Sequence, residues 1–315
     1  MPELPEVETI RRGLEKRIVG KVIADIEVLV LKSLEGDKSK VVGYRVKSIG
    51  RRAKVIAIRL ENGYNLLFHL KMTGQLIYRG SSVVSSLSTN DQRPTFDQFA
   101  GGHPDHEWHA KLPNKTTAII FTFNDKSRLF FNDMRKFGWC KVLTDDQLEK
   151  VFKEDYGPEP LDSSLSRAKS RDSGQANSGE EFTAEYLMRQ AAKIPNRNAK
   201  QFLTDQKIIA GIGNIYVDEI LFECRISPLR KVRDIKLSEW KNIIENTKKV
   251  LEKGIKYGGT TDSDYVNAEG KKGGMQDHLN VYHRTGQPCP AGCGGKVERI
   301  TVGGRGTHYC PVCQS

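Results

Sequence analysis

Four cysteines near the end of the chain limit its fold more than any other feature. Cys289 and Cys293 enclose three residues, Cys310 and Cys313 enclose two, and sixteen residues separate the pairs. Two short turns that each present two thiolates are typical of a zinc ribbon, in which four thiolates leave no open position for catalysis. Disulfides are the alternative, which a reducing compartment disfavours. We therefore expect one structural Zn²⁺ per chain and a ribbon over residues 288–315.

Length and charge set wider bounds. A chain of 315 residues exceeds the usual single core, which predicts two or more domains. Its net charge of +11 and isoelectric point near 9.3 favour a polyanionic partner, and we prefer nucleic acid to an anionic membrane. No apolar run approaches the roughly 18 to 20 residues of a membrane span, and the first residues do not resemble a signal peptide. We expect a cytoplasmic protein that does not bind membranes.

The N-terminus combines a nucleophile with acids. Because Pro2 is small, Met1 is normally removed, and the mature chain then begins with a secondary amine next to Glu3. An α-amino group titrates near pH 8, so part of it is unprotonated at neutral pH and can attack a sugar C1′ to form an iminium. Chain termini are often disordered. Here an amphipathic helix is predicted to anchor the terminus, with Pro5 in its first turn and apolar residues three or four apart at Val7, Ile10, Leu14 and Ile18.

The first half of the chain is rich in short β-type segments. Strands are predicted over residues 22–32, 41–49, 54–60, 64–70, 75–79, 117–123, 128–132 and 138–143. Glu61-Asn62-Gly63 forms a tight turn between two of them. Many short antiparallel strands around one core predict a sandwich or a barrel. We expect an α+β multidomain protein whose residues 1–150 form an N-terminal antiparallel β-sandwich with an N-terminal helix.

Two segments interrupt this order. Residues 80–113 are predicted to be a loop with His103, His106 and His109 at three-residue spacing, which we interpret as surface histidines because the loop contains glycine and proline. Residues 162–181 are poor in apolar side chains, which predicts a flexible linker between domains. We place the bounds of this linker at residues 151–182.

Residues 183–287 are predicted to form a helical domain, with helices over residues 183–192, 199–206, 214–224 and 237–251. Gly211 and Gly213 allow a close backbone approach, and Asn214 opens a helix whose N–H groups can hold a phosphate. A Gly-x-Gly-Asn sequence is also an ordinary helix cap.

The run PELPEVETIRRGLE at residues 2–15 resembles the opening of formamidopyrimidine-DNA glycosylases, which excise oxidised purines and then cut the strand. Residues 200–219, with DQ and GIGNIY, resemble the helix–two-turn–helix motif of that family. The resemblance extends from Pro2 to Gln314. It implies a base excision repair enzyme that forms a Pro2 Schiff base and cleaves the abasic site by β,δ-elimination. A glycosylase for oxidised pyrimidines, of the endonuclease VIII type, and a non-catalytic damaged-DNA-binding module are the alternatives. Leu4 favours the purine branch, since the other typically begins PEGPE.

The resemblance also implies roles for single residues. Pro2 is the nucleophile, Glu3 handles protons and Glu6 orients the site, while Lys54 and Arg305 bind phosphates at the lesion and complete the catalytic set. Four further residues match the family's DNA contacts: His69 to phosphate, Met72 in the hole left by the extruded base, Arg135 on the orphaned base and Phe137 as a wedge. Lys200, Asn214 and Tyr216 are the expected DNA-binding residues of the helical motif.

Extruding a base leaves a gap and an unpaired partner that side chains must replace. Taken singly, Met72 and Phe137 would more often be core residues, but together with Arg135 they meet this demand. We therefore expect a monomer that binds duplex DNA containing oxidised bases or abasic sites.

Three positions depart from the family pattern. Thr116 stands in a Lys-Thr-Thr-Ala stretch where a histidine is usual, and Asp262-Ser263 replaces a leucine and a basic residue in the loop that closes over the oxidised purine. The first cysteine pair encloses three residues where the family usually has two. Lesion preference is therefore less constrained by the sequence than the chemistry.

Overall fold

The computed structural model describes residues 1–81, 98–102, 112–161, 180–260 and 274–315. They form two compact units, which are Met1–Phe152 with Tyr257–Gln276, and Lys153–Lys256 with Asp277–Ser315. The predicted surface histidines His103, His106 and His109, residues 162–179 of the predicted linker and the pair Asp262-Ser263 lie outside the described residues.

The first unit contains two sheets and two α-helices within the described residues. Its elements are α1 Leu4–Ile18, β1 Ile23–Val28, β2 Leu34–Glu35, β3 Val46–Arg52, β4 Val55–Leu60, β5 Tyr64–His69, β6 Gly74–Arg79, β7 Gln98–Gly102, β8 Thr117–Phe123, β9 Arg128–Asp133, β10 Trp139–Thr144 and α2 Asp145–Asp155. One five-stranded sheet has the order β1-β8-β9-β6-β7 and the other β2-β10-β5-β4-β3. The short β2 pairs with β10 in parallel and the other neighbours are antiparallel.

The core lies between the two sheets. Phe68 on β5 meets Phe121 and Phe131 of the other sheet edge to face, with both pairs of ring centroids 5.7 Å apart. Buried residues of both sheets and of α1 form one continuous apolar cluster. The predicted β-sandwich with its N-terminal helix is confirmed, as is the turn at Glu61-Asn62-Gly63, where Gly63 adopts a positive φ of 78°.

Helix α1 packs closely against β7. A Cβ on Gly13 would lie 2.2 Å from a ring carbon of Phe99, and one on Gly101 would lie 2.5 Å from Ile10, so both contacts need glycine. The expectation that all of residues 80–113 form a loop was wrong, because β7 lies within that range. Its sequence, Gln-Phe-Ala-Gly-Gly, has low strand propensity, and pairing with β6 and cover by α1 override that propensity.

The second unit is helical and ends in a hairpin. Its elements are α3 Ala184–Lys193, α4 Ala199–Leu203, α5 Asn214–Glu223, α6 Leu237–Lys256, β11 Glu298–Val302 and β12 Arg305–Tyr309. Side chains cap two helices, since the hydroxyl of Thr183 accepts from the backbone N–H of Tyr186 and the amide oxygen of Asn198 accepts from the backbone N–H of Gln201. Trp240 of α6 packs on Phe202 of α4 with ring centroids 5.4 Å apart. The predicted helical domain and C-terminal ribbon are confirmed, and β11 and β12 form a hairpin within the ribbon.

Helix α2 covers residues 151–155, which the sequence assigned to a linker. Only Leu148 and Phe152 of α2 are buried, so its apolar signal is weak. None of the helices within the described ranges is both long and apolar enough to cross a lipid bilayer.

Candidate active site

The N-terminal residues are packed into the first unit. Glu3 and Glu6 are 3% and 5% exposed, Pro2 is partly exposed, and the Met1 side chain is exposed to solvent. Glu3 caps α1 and forms a capping box with Glu6, in which the Glu3 amide donates to Oε2 of Glu6 at 2.8 Å. The local sequence therefore fixes the backbone next to Pro2.

The other carboxylate oxygen of Glu6 binds a distant segment of the same unit. Its Oε1 accepts from the backbone N–H of Thr260 at 2.7 Å and from the Thr260 hydroxyl at 3.1 Å. Gly259 has φ of 86°, and a Cβ there would lie 2.9 Å from Glu6. Both oxygens of Glu6 are thus engaged, which suits a group that orients its neighbours.

Lys54 lies at the tip of the β3–β4 hairpin and is buried. Ala53 beside it adopts a positive φ of 53°, and its carbonyl accepts from Arg51 at 3.2 Å. Arg51 also donates to Glu8 of α1 at 3.2 Å. Burial raises the pKa of Glu8, but Arg11, Arg51 and Arg12 outweigh that effect and hold it below its usual value. The hairpin that carries Lys54 is therefore tied to the helix that begins beside Pro2.

His69 ends β5, and its imidazole packs on Trp139. Burial, with the nearby charges of Lys71 and Lys54, lowers its pKa to about 3, so the ring is neutral at physiological pH. Nδ1 accepts from the Lys71 backbone N–H at 2.9 Å, which places the proton of the neutral ring on Nε2.

Three predicted DNA-contact residues come together on two adjoining loops. Met72 and Phe137 are 47% and 55% exposed, unusual values for large apolar side chains. The Arg135 guanidinium lies 3.3 Å from the Met72 sulfur and 5.0 Å from the centre of the Phe137 ring. An exposed cluster of methionine, arginine and phenylalanine can enter a gap in stacked bases.

In the second unit, Asn214 opens α5 and donates from Nδ2 to the Gly306 carbonyl at 3.1 Å. Lys200 is 1% exposed, and its ammonium donates to Asp218 at 2.7 Å and to the same carbonyl at 3.2 Å. Asp218 also accepts from the backbone N–H of His308 at 2.8 Å. These bonds attach β12 to the helical motif.

Two predicted DNA-binding side chains are therefore interior. Lys200 pairs with Asp218, and Tyr216 is completely buried. The sequence predicted that both would contact DNA, and neither has the surface position of Arg305, which is exposed at the start of β12. Lys200 and Arg305 line one pocket of about 180 Å³, together with Arg197, Gln201, Thr204, Asp205, Val302 and Gly303.

The four cysteines of the predicted ribbon lie close to one another. Their sulfurs lie within 4.8 Å of one another, with Cys289 and Cys313 at 3.8 Å and Cys293 and Cys310 at 3.6 Å. A tetrahedron with Zn–S bonds near 2.3 Å has sulfurs about 3.8 Å apart. The cluster therefore fits Zn²⁺, which confirms the predicted metal site.

Three family models match successive parts of the chain: the formamidopyrimidine-DNA glycosylase N-terminal domain at residues 1–140, its H2TH domain at residues 174–266 and a zinc finger found in FPG and IleRS at residues 286–315. Formamidopyrimidine-DNA glycosylases of Streptococcus mutans and Pelotomaculum thermopropionicum are 37% and 36% identical to it. Each alignment covers 100% of this chain and 99% of the relative.

The chain belongs to the formamidopyrimidine-DNA glycosylase family. It is therefore an enzyme of base excision repair, a DNA glycosylase with abasic-site lyase activity.

Solved structures of the family share this fold. A point mutant of the Lactococcus lactis enzyme in complex with DNA containing Fapy-dG has a TM-score of 0.79 and 31% identity, with full coverage of both chains. The same enzyme in complex with DNA containing an abasic site has a TM-score of 0.78 and 31% identity, with 99% of each chain covered.

Sequence reasoning missed three residues that hold predicted functional residues in place within each unit. Thr260 binds Glu6, Asp218 binds Lys200 and β12, and Asp133 binds the loop of Arg135 and Phe137. Asp133 and Asp218 lie within the recognised motifs, so a search for acids beside functional residues would have found them. Thr260 is 254 positions from Glu6, and no local signal indicates that contact.

Proposed function

We propose that this glycosylase excises oxidised purines, 8-oxoguanine and formamidopyrimidines, from duplex DNA with Pro2 as its nucleophile, and then cuts the strand by β,δ-elimination. The observation that carries the proposal is the buried acid pair next to Pro2. Glu3 and Glu6 are interlocked by the capping box, and Glu6 also binds Thr260. Such a site holds a terminal amine in one place, which an attack on C1′ requires.

In the proposed reaction the unprotonated amine of Pro2 adds to C1′, and the base leaves with the electrons of the glycosidic bond and gains a proton. The attached nitrogen then loses its proton and forms a double bond to C1′, while the C1′–O4′ bond breaks and O4′ takes a proton, which opens the sugar ring. The resulting iminium acidifies the proton on C2′, whose removal expels the 3′ phosphate; a second elimination expels the 5′ phosphate. We assign the proton transfers at the sugar to Glu3. Glu6 positions the terminus, since its two oxygens already accept hydrogen bonds. Lys54, held at its hairpin tip, supplies positive charge beside the phosphates.

The exposed cluster of Met72, Arg135 and Phe137 supports action on duplex DNA. We propose that Met72 fills the space of the extruded base, that Arg135 binds its orphaned partner and that Phe137 separates the neighbouring pair. Among the structural relatives, the Lactococcus lactis enzyme is in complex with DNA carrying Fapy-dG or an abasic site. Fapy-dG is a substrate of the proposed base excision and an abasic site is a substrate of the proposed strand cleavage, so both ligands agree with the two steps proposed for the present chain.

Phosphate binding falls to His69, Asn214 and Arg305 in this proposal. Neutral His69 donates from Nε2, Asn214 contributes the start of α5, and Arg305 contributes a charge-assisted contact. Lys200 and Tyr216 act indirectly, because their side chains are buried and Lys200 is paired with Asp218.

Cys289, Cys293, Cys310 and Cys313 would hold Zn²⁺, whose contribution is to fold the ribbon that presents Arg305. We further propose that the enzyme acts as a monomer in the bacterial cytoplasm, at the nucleoid, where its DNA substrate is.

Borohydride trapping tests the nucleophile. Reduction of the iminium should link the mature protein covalently to duplex DNA that contains 8-oxoguanine or an abasic site, with Pro2 as the modified residue in peptide mass spectrometry. A variant that retains Met1 should lose at least about 100-fold in trapping rate, because its amine is displaced by one residue. Pro2→Gly should trap more slowly than the parent. Equal trapping by the Met1-retaining protein would overturn the assignment and leave a lysine as nucleophile.

Excision of oxidised pyrimidines is the second candidate function, favoured by one observation. Asp262-Ser263 replaces the residues that the family usually has in the loop over the base. Single-turnover excision of 8-oxoguanine, formamidopyrimidine and thymine glycol, each in matched duplexes, decides between the two. We expect both purine lesions to be released faster; a clear preference for thymine glycol would contradict the purine assignment.

A further inference from the structure

The two loops that expose Met72, Arg135 and Phe137 are joined by hydrogen bonds that do not involve these three side chains. We define them as the methionine loop, residues 70–74, and the arginine loop, residues 133–138. Asp133, at the start of the arginine loop, is 0% exposed. Its Oδ1 accepts from the Thr73 hydroxyl and, at 3.2 Å, from the Arg135 backbone N–H, while its Oδ2 accepts from the Gly138 N–H at 2.6 Å.

Thr73 closes a small ring of bonds. Its Oγ1 donates to Asp133 and accepts from the Arg135 backbone N–H at 3.0 Å. One buried carboxylate and one hydroxyl therefore hold both ends of the arginine loop and connect that loop to the methionine loop. Hydrogen bonds to a buried carboxylate are stronger than bonds between neutral groups, and each group left unsatisfied would be costly.

The backbone of both loops needs such support. Lys71 and Lys136, one in each loop, have positive φ values of 52° and 55°. Residues other than glycine rarely adopt this conformation. It costs about 1 kcal/mol or more, which the surrounding contacts must offset. At the end of the arginine loop, a Cβ on Gly138 would lie 3.0 Å from Asp133 Oδ2 and 2.8 Å from Phe131, so the loop is packed directly on the carboxylate.

We propose that Asp133 and Thr73 are positioning residues that preorganise the two loops as one wedge, so that Met72, Arg135 and Phe137 enter the duplex together. The proposal rests on the proposed function of these three side chains. Preorganisation matters because two separately mobile loops would have to be ordered during base extrusion, and that entropy would raise the barrier. The wedge is needed most when a paired base must be displaced, and less at an abasic site, which has no base to unstack.

Thr73→Val removes the hydroxyl with little change in shape, and Thr73→Ser restores it. Single-turnover release of 8-oxoguanine opposite cytosine should fall at least about 10-fold in Thr73→Val, whereas cleavage of the same duplex with a preformed abasic site should fall less than about 3-fold, since the barrier changes only at extrusion. Thr73→Ser should retain nearly full activity on both. Asp133→Asn should reproduce the pattern of Thr73→Val, because an amide cannot accept all three bonds.

Thr144→Val is the matched control, because Thr144 Oγ1 accepts the backbone N–H of Gln147 in the same unit, and Thr144 lies at the opposite end of β10 from the arginine loop. It should leave both rates unchanged. Equal loss on both substrates in Thr73→Val, or no loss on either, would overturn the wedge proposal.

A second measurement makes the result independent of catalysis. In the DNA-free protein, amide hydrogen exchange at Arg135 and Gly138 should become faster in Thr73→Val, while exchange in β9 stays the same. Unchanged exchange at both amides would also overturn the proposal. Failure of the parent protein to trap or release any lesion would instead count against the proposed function, and the exchange measurement would still decide whether the two residues hold the loops.

Discussion

The two units hold their functional side chains by different means. In the first unit, the residues near Pro2 and Lys54 stand on a sandwich whose core joins both sheets and α1, and polar links such as Glu6–Thr260 and Arg51–Glu8 are added to it. In the second, the hairpin that carries Arg305 rests on a small cluster of Phe222, Val281, Val297 and the thiols Cys289 and Cys310.

This difference predicts different responses to damage. A large apolar core tolerates the loss of one polar contact, because most of its stability comes from area removed from water. A ribbon of about 30 residues cannot bury enough apolar surface by itself and depends on its metal. The rate of the chemical step should therefore change little when the second unit is altered. The affinity that Arg305 contributes to DNA binding should depend on all four thiolates.

Cys310→Ser is expected to have the largest effect of the changes in the second unit. Loss of one ligand should release Zn²⁺ and unfold the ribbon, and affinity for lesion DNA should fall about 100-fold or more because Arg305 is no longer positioned. Metal content by mass spectrometry of the native protein, circular dichroism and DNA binding measure the three consequences. The sandwich should keep its thermal transition. Stoichiometric zinc absent from the parent, or parent-like binding and cleavage by Cys310→Ser, would contradict the comparison.

Features of the fold that depend on residues close together in the sequence were predicted from local sequence patterns. The spacing of four cysteines predicted the metal cluster, and a three- to four-residue apolar period predicted α1. The alternation of apolar and polar side chains, which predicted most of the other strands, did not predict β7, because Gly101 and Gly102 have no side chains to alternate. The strand exists because β6 and α1 accept its bare backbone, which is a tertiary effect.

The functional residues divide in the same way. Their identities were predicted from motifs, but their surroundings were not. Lys200 was expected to contact DNA because it lies in the segment that resembles the family's DNA-binding motif, whereas its partner Asp218 lies 18 positions away and makes burial possible. Contacts such as Glu6–Thr260 join segments whose proximity is decided only by the whole fold.

Replacing Arg305 separates its contact from the folding of the ribbon. Arg305→Ala should lower affinity for lesion DNA about 10-fold and reduce the slope of log affinity against log salt by about 1, because one phosphate contact is lost. Zinc content should not change. Arg299→Ala is the matched control, since Arg299 lies on the same hairpin and is exposed, and its removal deletes the same charge. A similar loss in both variants would mean that Arg305 contributes only net charge.

The smallest effect concerns His69, where the two means of holding a phosphate can be compared directly. A guanidinium is a cation at every accessible pH, whereas the low pKa of His69, about 3, leaves the imidazole a neutral donor. The affinity ratio between the parent and His69→Gln should therefore be constant from pH 6 to 8. A histidine that bound as a cation would instead bind more tightly as the pH fell through 6.5.

The same pKa predicts how stability depends on pH. Above pH 6.5 the ring is neutral in both folded and unfolded chains. Between about pH 6.5 and 3 only the unfolded chain binds the proton, so the free energy of unfolding should fall with decreasing pH, by at most about 1.4 kcal/mol per unit from this group. His69→Gln lacks that contribution, and its melting temperature should fall less steeply on acidification. An imidazole titration midpoint between pH 6 and 7, followed by NMR in the folded protein, would show that the ring is solvated and that His69 resembles Arg305 more than the buried links around it.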